Sequence, residues 1–317
     1  MPANIGQLAT LAIDNYSGTL ADNVSTHSPL LRSIFLKGNN LPANGGNTIR
    51  QELMYAENAN GKFYSGSELL DITDNEMIDA AQFDWKQYNI NYIITGLEKT
   101  KVKGDAEQHD LIQSKLKVTE ISAKNAIATS IFSDGTGTGG KEIGGLQLIV
   151  ADTPTNTVGG INASTYTFWR NKTYDFSTEA GAVASATNVI AGMNVAWRRA
   201  MRNMDIPDVI IADDDYYGYF ESALQANQRF TRNSTDATAG FETIAYKSAN
   251  VFYDVNCPDK HMYMLNTDYL FFRTDPDRNF SRDKEKSPTN QDSVVIPLYW
   301  TGNLTCSNRS LQCVLKD

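Results

Sequence analysis

The sequence has few of the groups from which most active sites are built. Its 317 residues include three cysteines and three histidines. Cys257, Cys306 and Cys313 are odd in number and lack C-x-x-C spacing, which excludes a disulfide framework and a thiolate zinc site. Reduced, partly buried thiols are the expectation. His27, His109 and His261 stand far apart, and none belongs to a ligand pattern such as H-E-x-x-H. No G-x-S-x-G elbow or other nucleophile signature occurs, so no catalytic residue is named and neither metal nor cofactor is expected. No stretch has the uninterrupted apolar length of a bilayer span. The amino-terminal "MPANIGQLAT" has neither the basic region nor the apolar block of a signal peptide. A chain made and kept in a cytosol, without a membrane partner, is expected.

Basic charge is also scarce: 28 Lys and Arg stand against 37 Asp and Glu, a formal net charge of -9. A surface that repels polyanions overall does not suit a dedicated nucleic-acid binder, and any basic face must be local. With 41% hydrophobic and 21% charged residues, the chain is globular and long enough for one large or two ordinary cores.

The stretch "GTGTGGKE", Gly135 to Glu142, matches the phosphate-loop pattern G-x-x-x-x-G-K, but Glu142 stands where the Mg²⁺-binding Ser or Thr belongs. A helical pattern precedes it, whereas a phosphate loop follows a strand and opens a helix. The glycines Gly135, Gly137, Gly139 and Gly140 are therefore read as a linker that stops and hinges a long helix. The run Asp213 to Asp215 suits a hard cation in principle. At a strand end that opens a helix, it is more simply read as N-terminal capping. Trp169, Trp197 and Trp300 sit among apolar or strand-forming neighbours and are expected in cores.

Along the chain, "SPLLRSIFLKG" is a short amphipathic segment in an otherwise polar arm. "NTIRQELMYAENANGKFYSGSELL" places two β-type stretches around Asn60-Gly61, a two-residue hairpin signal. In "AAQFDWKQYNINYIITGLEKTKV" apolar residues recur at spacing two, predicting one long half-buried strand. Residues 105–134 predict a helix of some thirty residues, with Leu111, Ile112, Leu116, Ala123, Ile127 and Ile131 on its apolar face. "GGLQLIV" reads as a strand. "TEAGAVASATNVIAGMNVAWRRAMRNMD" reads as a second helix ended by Pro207, "DVIIAD" as a buried strand, and "DDYYGYFESALQANQRF" as a third helix. The remainder is strand-rich, and there is no internal repeat.

This order of parts resembles the major capsid proteins of tailed bacteriophages with the Hong Kong 97-type fold. The likeness is concentrated in "GGNTIRQELMYAENANGKFYSGSELLD", "AAQFDWKQ", "SDGTGTGGKEIGGLQLIV" and "TVGGINASTYTFWRN". The resemblance implies an α+β fold with an N-arm (1–40), an extended loop (41–83), a peripheral domain with a spine helix (84–140; helix about 105–134), an axial domain (141–255) and returning strands (256–317). It implies a structural, non-enzymatic protein that forms hexamers and pentamers closing into an icosahedral shell around double-stranded DNA, without sequence-specific binding. Assembly in the host bacterial cytoplasm and, as partners, a portal protein, a separate scaffolding protein and a decoration protein go with that reading. Leu53, Met54, Tyr55, Lys62, Phe63 and Tyr64 in the extended loop are the candidate inter-subunit contacts, because an isolated two-stranded hairpin is marginal in water. Some capsids of this fold join a loop Lys to an Asn of a neighbour. Lys62 is the natural donor here, yet a Lys beside Asn-Gly also simply solvates a loop tip, and a non-covalent shell is expected. The alternatives are an encapsulin-like nanocompartment shell and, from another class, a phage tail or baseplate component, which has no need of the long helix.

Overall fold

The computed structural model describes residues 28–43, 45–101, 105–225 and 243–317. In chain order these form α1 (Pro29–Leu36), β1 (Ile49–Met54), β2 (Ile78–Phe83), β3 (Lys86–Thr95), α2 (Asp105–Phe132), β4 (Thr157–Val158), β5 (Ile161–Asn162) and β6 (Lys172–Asp175). They continue with α3 (Val189–Ala200), β7 (Val209–Ala212), α4 (Asp214–Gln225), β8 (Thr243–Tyr246), β9 (Ala249–Tyr253), β10 (His261–Leu265), β11 (Leu270–Arg282), β12 (Ser293–Cys306) and β13 (Cys313–Lys316).

Two sheets organise the chain. The larger has the strand order β6-β13-β10-β7-β9-β8, and the second has β11-β12-β3. Because successive side chains of a strand point to opposite faces, each inner strand of the larger sheet feeds two cores at once. Ile210, Ala212, Met262, Met264, Cys313 and Leu315 pack with Met193, Trp197 and Phe220 of α3 and α4. Val209, Ile211, Tyr263, Leu265 and Val314 pack on the opposite side with α1, the end of α2 and the strands β11 and β12. Burial on both faces explains why "DVIIAD" has no polar alternation.

The long helix forms over 28 residues, about 42 Å at 1.5 Å per residue. Leu116, Ala123, Ile127 and Ile131 are buried at steps of seven and four residues. Past its end Gly135 takes φ +78°, the left-handed conformation that closes helices. His27 lies outside the described residues, as do the side chains of His109, Leu111 and Ile112.

Several expectations are corrected. First, the amphipathic segment is no arm: Pro29 starts α1 and Leu30, Leu31 and Ile34 are fully buried in the central core. Second, the Asn60-Gly61 turn does not join the hairpin strands. β1 pairs antiparallel with β2, Ile49 opposite Phe83 and Met54 opposite Ile78, so 23 residues without strand structure lie between them. The expected single strand across 81–95 is two, broken at Asp84 and Trp85, with Tyr92 and Ile94 buried as the alternation requires. Third, "GGLQLIV" is a helical turn, Leu146–Ile149. A strand is ruled out there because Gly145 lies against the Ile131 carbonyl, and the chain turns at once to bury Leu146 and Ile149. Fourth, α3 starts at Val189 rather than near residue 178. Gly181 adopts φ +68° after a π-turn at Phe176–Ala180, leaving Val183 exposed, and Met204 lies exposed beyond the helix.

Candidate functional site: an exposed loop and its seat

Residues 49–83 form a β-ribbon whose root is packed and whose tip is not. In β1, Ile49, Gln51 and Leu53 point inward while Met54 is exposed; in β2, Ala81 and Phe83 point inward while Ile78 is exposed. The inward residues join Val158, Ile161, Ala163 and Trp169 in a third, smaller apolar cluster. The turn between β4 and β5 is part of this seat: the Gln82 amide donates to the Gly159 carbonyl at 2.8 Å. Gly159, at φ +60°, leaves no room for a Cβ, which would sit 2.8 Å from the Ala81 methyl. Tyr55 stacks on Phe168, and the Trp169 indole donates to the Val158 carbonyl at 2.9 Å.

The seat is pinned from below by Arg309, which is fully buried. Its Nε donates to the Ile149 carbonyl at 2.6 Å, and Nη2 donates to Asn156 and Asn171 at 2.8 and 3.1 Å. Burial lowers its pKa to about 10, as desolvation of a cation demands. From β11, Arg273 donates to Gln51 at 3.0 Å and ties the ribbon to the second sheet.

The tip is held by polar contacts within itself. The Asn60 amide nitrogen donates to the Thr73 carbonyl and Asn75 donates to Asn60 at 2.7 Å. The Lys62 ammonium donates to the Leu69 carbonyl at 2.5 Å and lies 3.8 Å from the Glu68 carboxylate. Hydrogen bonds from the Thr73 hydroxyl and amide lower the pKa of Asp71. Among the described residues nothing covers the apolar side chains between these ties: Phe63 is fully exposed, Leu69 is 92% and Ile72 is 93% exposed, and Tyr64 and Leu70 lie more than half open. Fully burying one such side chain is worth about 1.5–3 kcal/mol. An exposed apolar group of this size marks an interaction surface.

Of the residues singled out from sequence, Met54, Lys62, Phe63 and Tyr64 lie on the open side, while Leu53 and Tyr55 belong to the seat. Leu69, Leu70, Ile72 and Ile78 were not singled out. Their signal was an apolar run amid acidic residues, "ELLDITDNEMID".

The glycine stretch is a folded turn rather than a free linker. Gly139 and Gly140 take φ +70° and +80°, and Thr138 takes φ +52° between Gly137 and Gly139. Gly137 has an ordinary backbone; the Glu142 carboxylate occupies the space its side chain would fill. Glu142 accepts from Ser133 at 3.0 Å and Thr138 at 3.1 Å, so a carboxylate already fills the turn that a phosphate loop would keep open. Asp213 acts as expected of a cap, accepting from the Tyr216 amide at 2.9 Å and from the Lys260 amide. Among the described residues no group of His, Cys, Asp and Glu is placed to hold a metal ion. All three cysteines are free and buried, and burial pushes Cys306 and Cys313 up to about 12.

No protein-family model matches the sequence, and no curated protein sequence matches it. Solved structures do match. The capsid asymmetric unit of cyanophage A-1(L) superposes with a TM-score of 0.66 at 16% identity, over 93% of each chain. The capsid of a native GTA particle gives 0.59 at 12% identity over 89% of each chain. The SrpI encapsulin of Synechococcus elongatus gives 0.54 at 9% identity over 92% of this chain and 88% of its own. Likeness along nearly the whole length at so low an identity is a likeness of architecture, and the chain has the α+β Hong Kong 97-type capsid fold.

Proposed function

We propose that this chain is the major capsid protein of a tailed bacteriophage, forming hexamers and pentamers that close into an icosahedral shell around packaged double-stranded DNA. The observation that carries the reading is the ribbon at 49–83, seated at its root and carrying uncovered Phe63, Leu69 and Ile72 at its tip. A loop built this way has no use in an isolated chain, and a second copy is the surface that covers it. In a shell each contact is modest and the multiplicity makes the assembly stable.

In the terms of this fold, residues 41–83 are the extended loop, α2 with the β11-β12-β3 sheet is the peripheral domain, and the six-stranded sheet with α3 and α4 is the axial domain. The axial sheet recruits β10 and β13 from the returning strands. Joining of subunits is non-covalent, consistent with Lys62 bonded within its own loop. An acidic chain suits a container whose wall does not grip its genome, and a portal and a separate scaffolding protein act with it in the host cytoplasm. The role is structural, without catalysis.

The likeness to the SrpI encapsulin favours one second reading, a shell around cargo protein. Purified particles distinguish the two by content, DNA for the phage capsid and protein for the compartment. Removal of the loop tip, described below, tests whether assembly uses this surface at all.

A further inference from the structure

A cavity of about 440 Å³ opens at the root of the ribbon, between β11 and the turn that leads into β1. Arg50, Arg273 and the turn residues Gly45 to Thr48 line it, and among the described residues no Asp or Glu does. Arg273 reaches it from β11. Its Nη2 donates to the Gln51 side chain at 3.0 Å and its guanidinium lies 5.3 Å from the centre of the Phe271 ring, but Nε is buried and has no partner among the described residues. A buried donor left unpaired is costly, the more so on a cation. Neither Arg273 nor Arg50 is paired with a carboxylate among the described residues. Burial lowers the Arg273 pKa, and no neighbouring acid offsets it.

The opposite wall supplies neutral donors. Gly45 and Gly46 take φ +71° and +100° in succession, a conformation that glycine holds without strain. The turn is fixed on both sides: the Ala43 amide donates to the Thr274 carbonyl at 3.0 Å, and the Trp85 indole donates to the Gly46 carbonyl at 2.9 Å. A trans peptide sets its C=O and N–H on opposite sides, so with that carbonyl on Trp85 the Asn47 amide faces the other way. The amides of Gly46, Asn47 and Thr48 have no acceptor among the described residues. Successive free amides in such a turn form a concavity suited to an anion. We infer that this cavity is a binding site for a phosphate group. Arg273 supplies the paired charge and a forked donor, the turn amides and the Thr48 hydroxyl supply neutral donors, and Arg50 adds a second charge at the exposed rim. A phosphate presents oxygens in three directions, matching donors on two walls and a rim, whereas a carboxylate holds its two oxygens in one plane. In a chain of net charge -9 the site is a local reversal of sign. Two sources carry such a group, a free phosphate ion and the backbone of DNA. The inference does not depend on the shell reading: it holds or fails on phosphate binding, whether or not particles form.

The test is a titration of the full chain with sodium phosphate, at an ionic strength held constant with chloride and followed by backbone hydrogen exchange. Exchange in residues 45–50 is expected to slow saturably, with half the effect at about 1 mM, while exchange in β7 and β10 stays unchanged. Arg273→Gln is expected to weaken the effect about tenfold or more, and Arg273→Lys, which keeps the charge and loses the fork, to weaken it less. A wild-type chain whose exchange in 45–50 ignores phosphate overturns the inference, as does an Arg273→Gln chain that responds like its parent. Should Arg273→Gln not fold, Arg50→Gln with Thr48→Val gives the same decision, because it removes one charge and one donor outside the core: weaker binding supports the site, and unchanged binding overturns it. A short DNA duplex separates the two sources. Protection by the duplex that free phosphate competes away and Arg273→Gln abolishes assigns the site to DNA, protection by the free ion alone assigns it to the ion, and either supports a phosphate site. Protection of 45–50 that appears only when particles form, with no response to phosphate, places a neighbouring chain there and overturns the inference.

Discussion

Tyr55 stacks on Phe168 with ring centroids 5.6 Å apart and 27° between the planes. This contact joins the first residue beyond β1 to the segment that follows the β4-β5 turn, so the direction of the loop is set by a chain segment about a hundred residues away. The ribbon is packed at its root and uncovered at its tip.

Gly159→Val tests the seat. The new Cβ meets the Ala81 methyl at 2.8 Å and the Phe83 ring at 3.3 Å, at a backbone angle that β-branched residues avoid. A loss of about 1–3 kcal/mol in stability is expected. Faster amide hydrogen exchange in 49–54 and 78–83, with the larger sheet unchanged, is the measurement that locates it.

Replacing residues 56–76 by Asn-Gly tests the tip. Tyr55 donates to the Met77 carbonyl at 3.0 Å, so the ribbon is closed at that pair and a two-residue turn fits there. The variant is expected to melt within a few degrees of the parent, since no core residue is lost, and to form no closed particles by sedimentation.

The pair His261 and Asp152 gives a pH signature. Nε2 of His261 lies 3.1 Å from both Asp152 carboxylate oxygens and Nδ1 lies 2.7 Å from the Asp259 carbonyl, so both ring nitrogens face acceptors. Burial lowers the His261 pKa, but the Asp152 hydrogen bond and the Asp259 carbonyl outweigh it and the result is a raised value. The His261 hydrogen bond outweighs burial in turn and lowers Asp152. A raised histidine stabilises fully below its unfolded pKa and loses that contribution as pH rises through the higher folded value. A lowered carboxylate stabilises above its unfolded pKa and loses the contribution in acid. Chemical denaturation of the unassembled chain at a series of pH values should therefore show Asp152→Asn costing more near pH 6 than near pH 8.5 (about these values, from the ordinary histidine range).

Two glycines beside the long helix should respond very differently. A Cβ on Gly139 meets nothing within 4 Å and is opposed only by φ +70°, a penalty of about 1–2 kcal/mol. A Cβ on Gly145 would strike the Ile131 carbonyl of α2, and backbone cannot swing aside. Urea unfolding should rank Gly145→Ala as the more damaging, at about 3 kcal/mol.

Much of this was legible in sequence, for physical reasons that differ between elements. The long helix declared itself because Leu116, Ala123, Ile127 and Ile131 keep helical spacing and Gly135 ends it. The cap at Asp213 and the cores around Trp169, Trp197 and Trp300 followed from local chemistry. The ribbon's pairing did not, because Asn60-Gly61 is a strong local turn signal and β1 finds its partner in β2 across 23 residues. Nor did α1: an amphipathic octapeptide looks the same whether it is an arm or, as here, the lid of a core.

Electron microscopy of the full-length chain, purified and concentrated, tests the shell most directly. The account predicts closed particles of uniform size with icosahedral averages, in which density for residues 55–77 of each subunit rests on a neighbour. A chain that stays a dispersed monomer at every concentration and salt, or that gathers only into open, irregular aggregates, contradicts it.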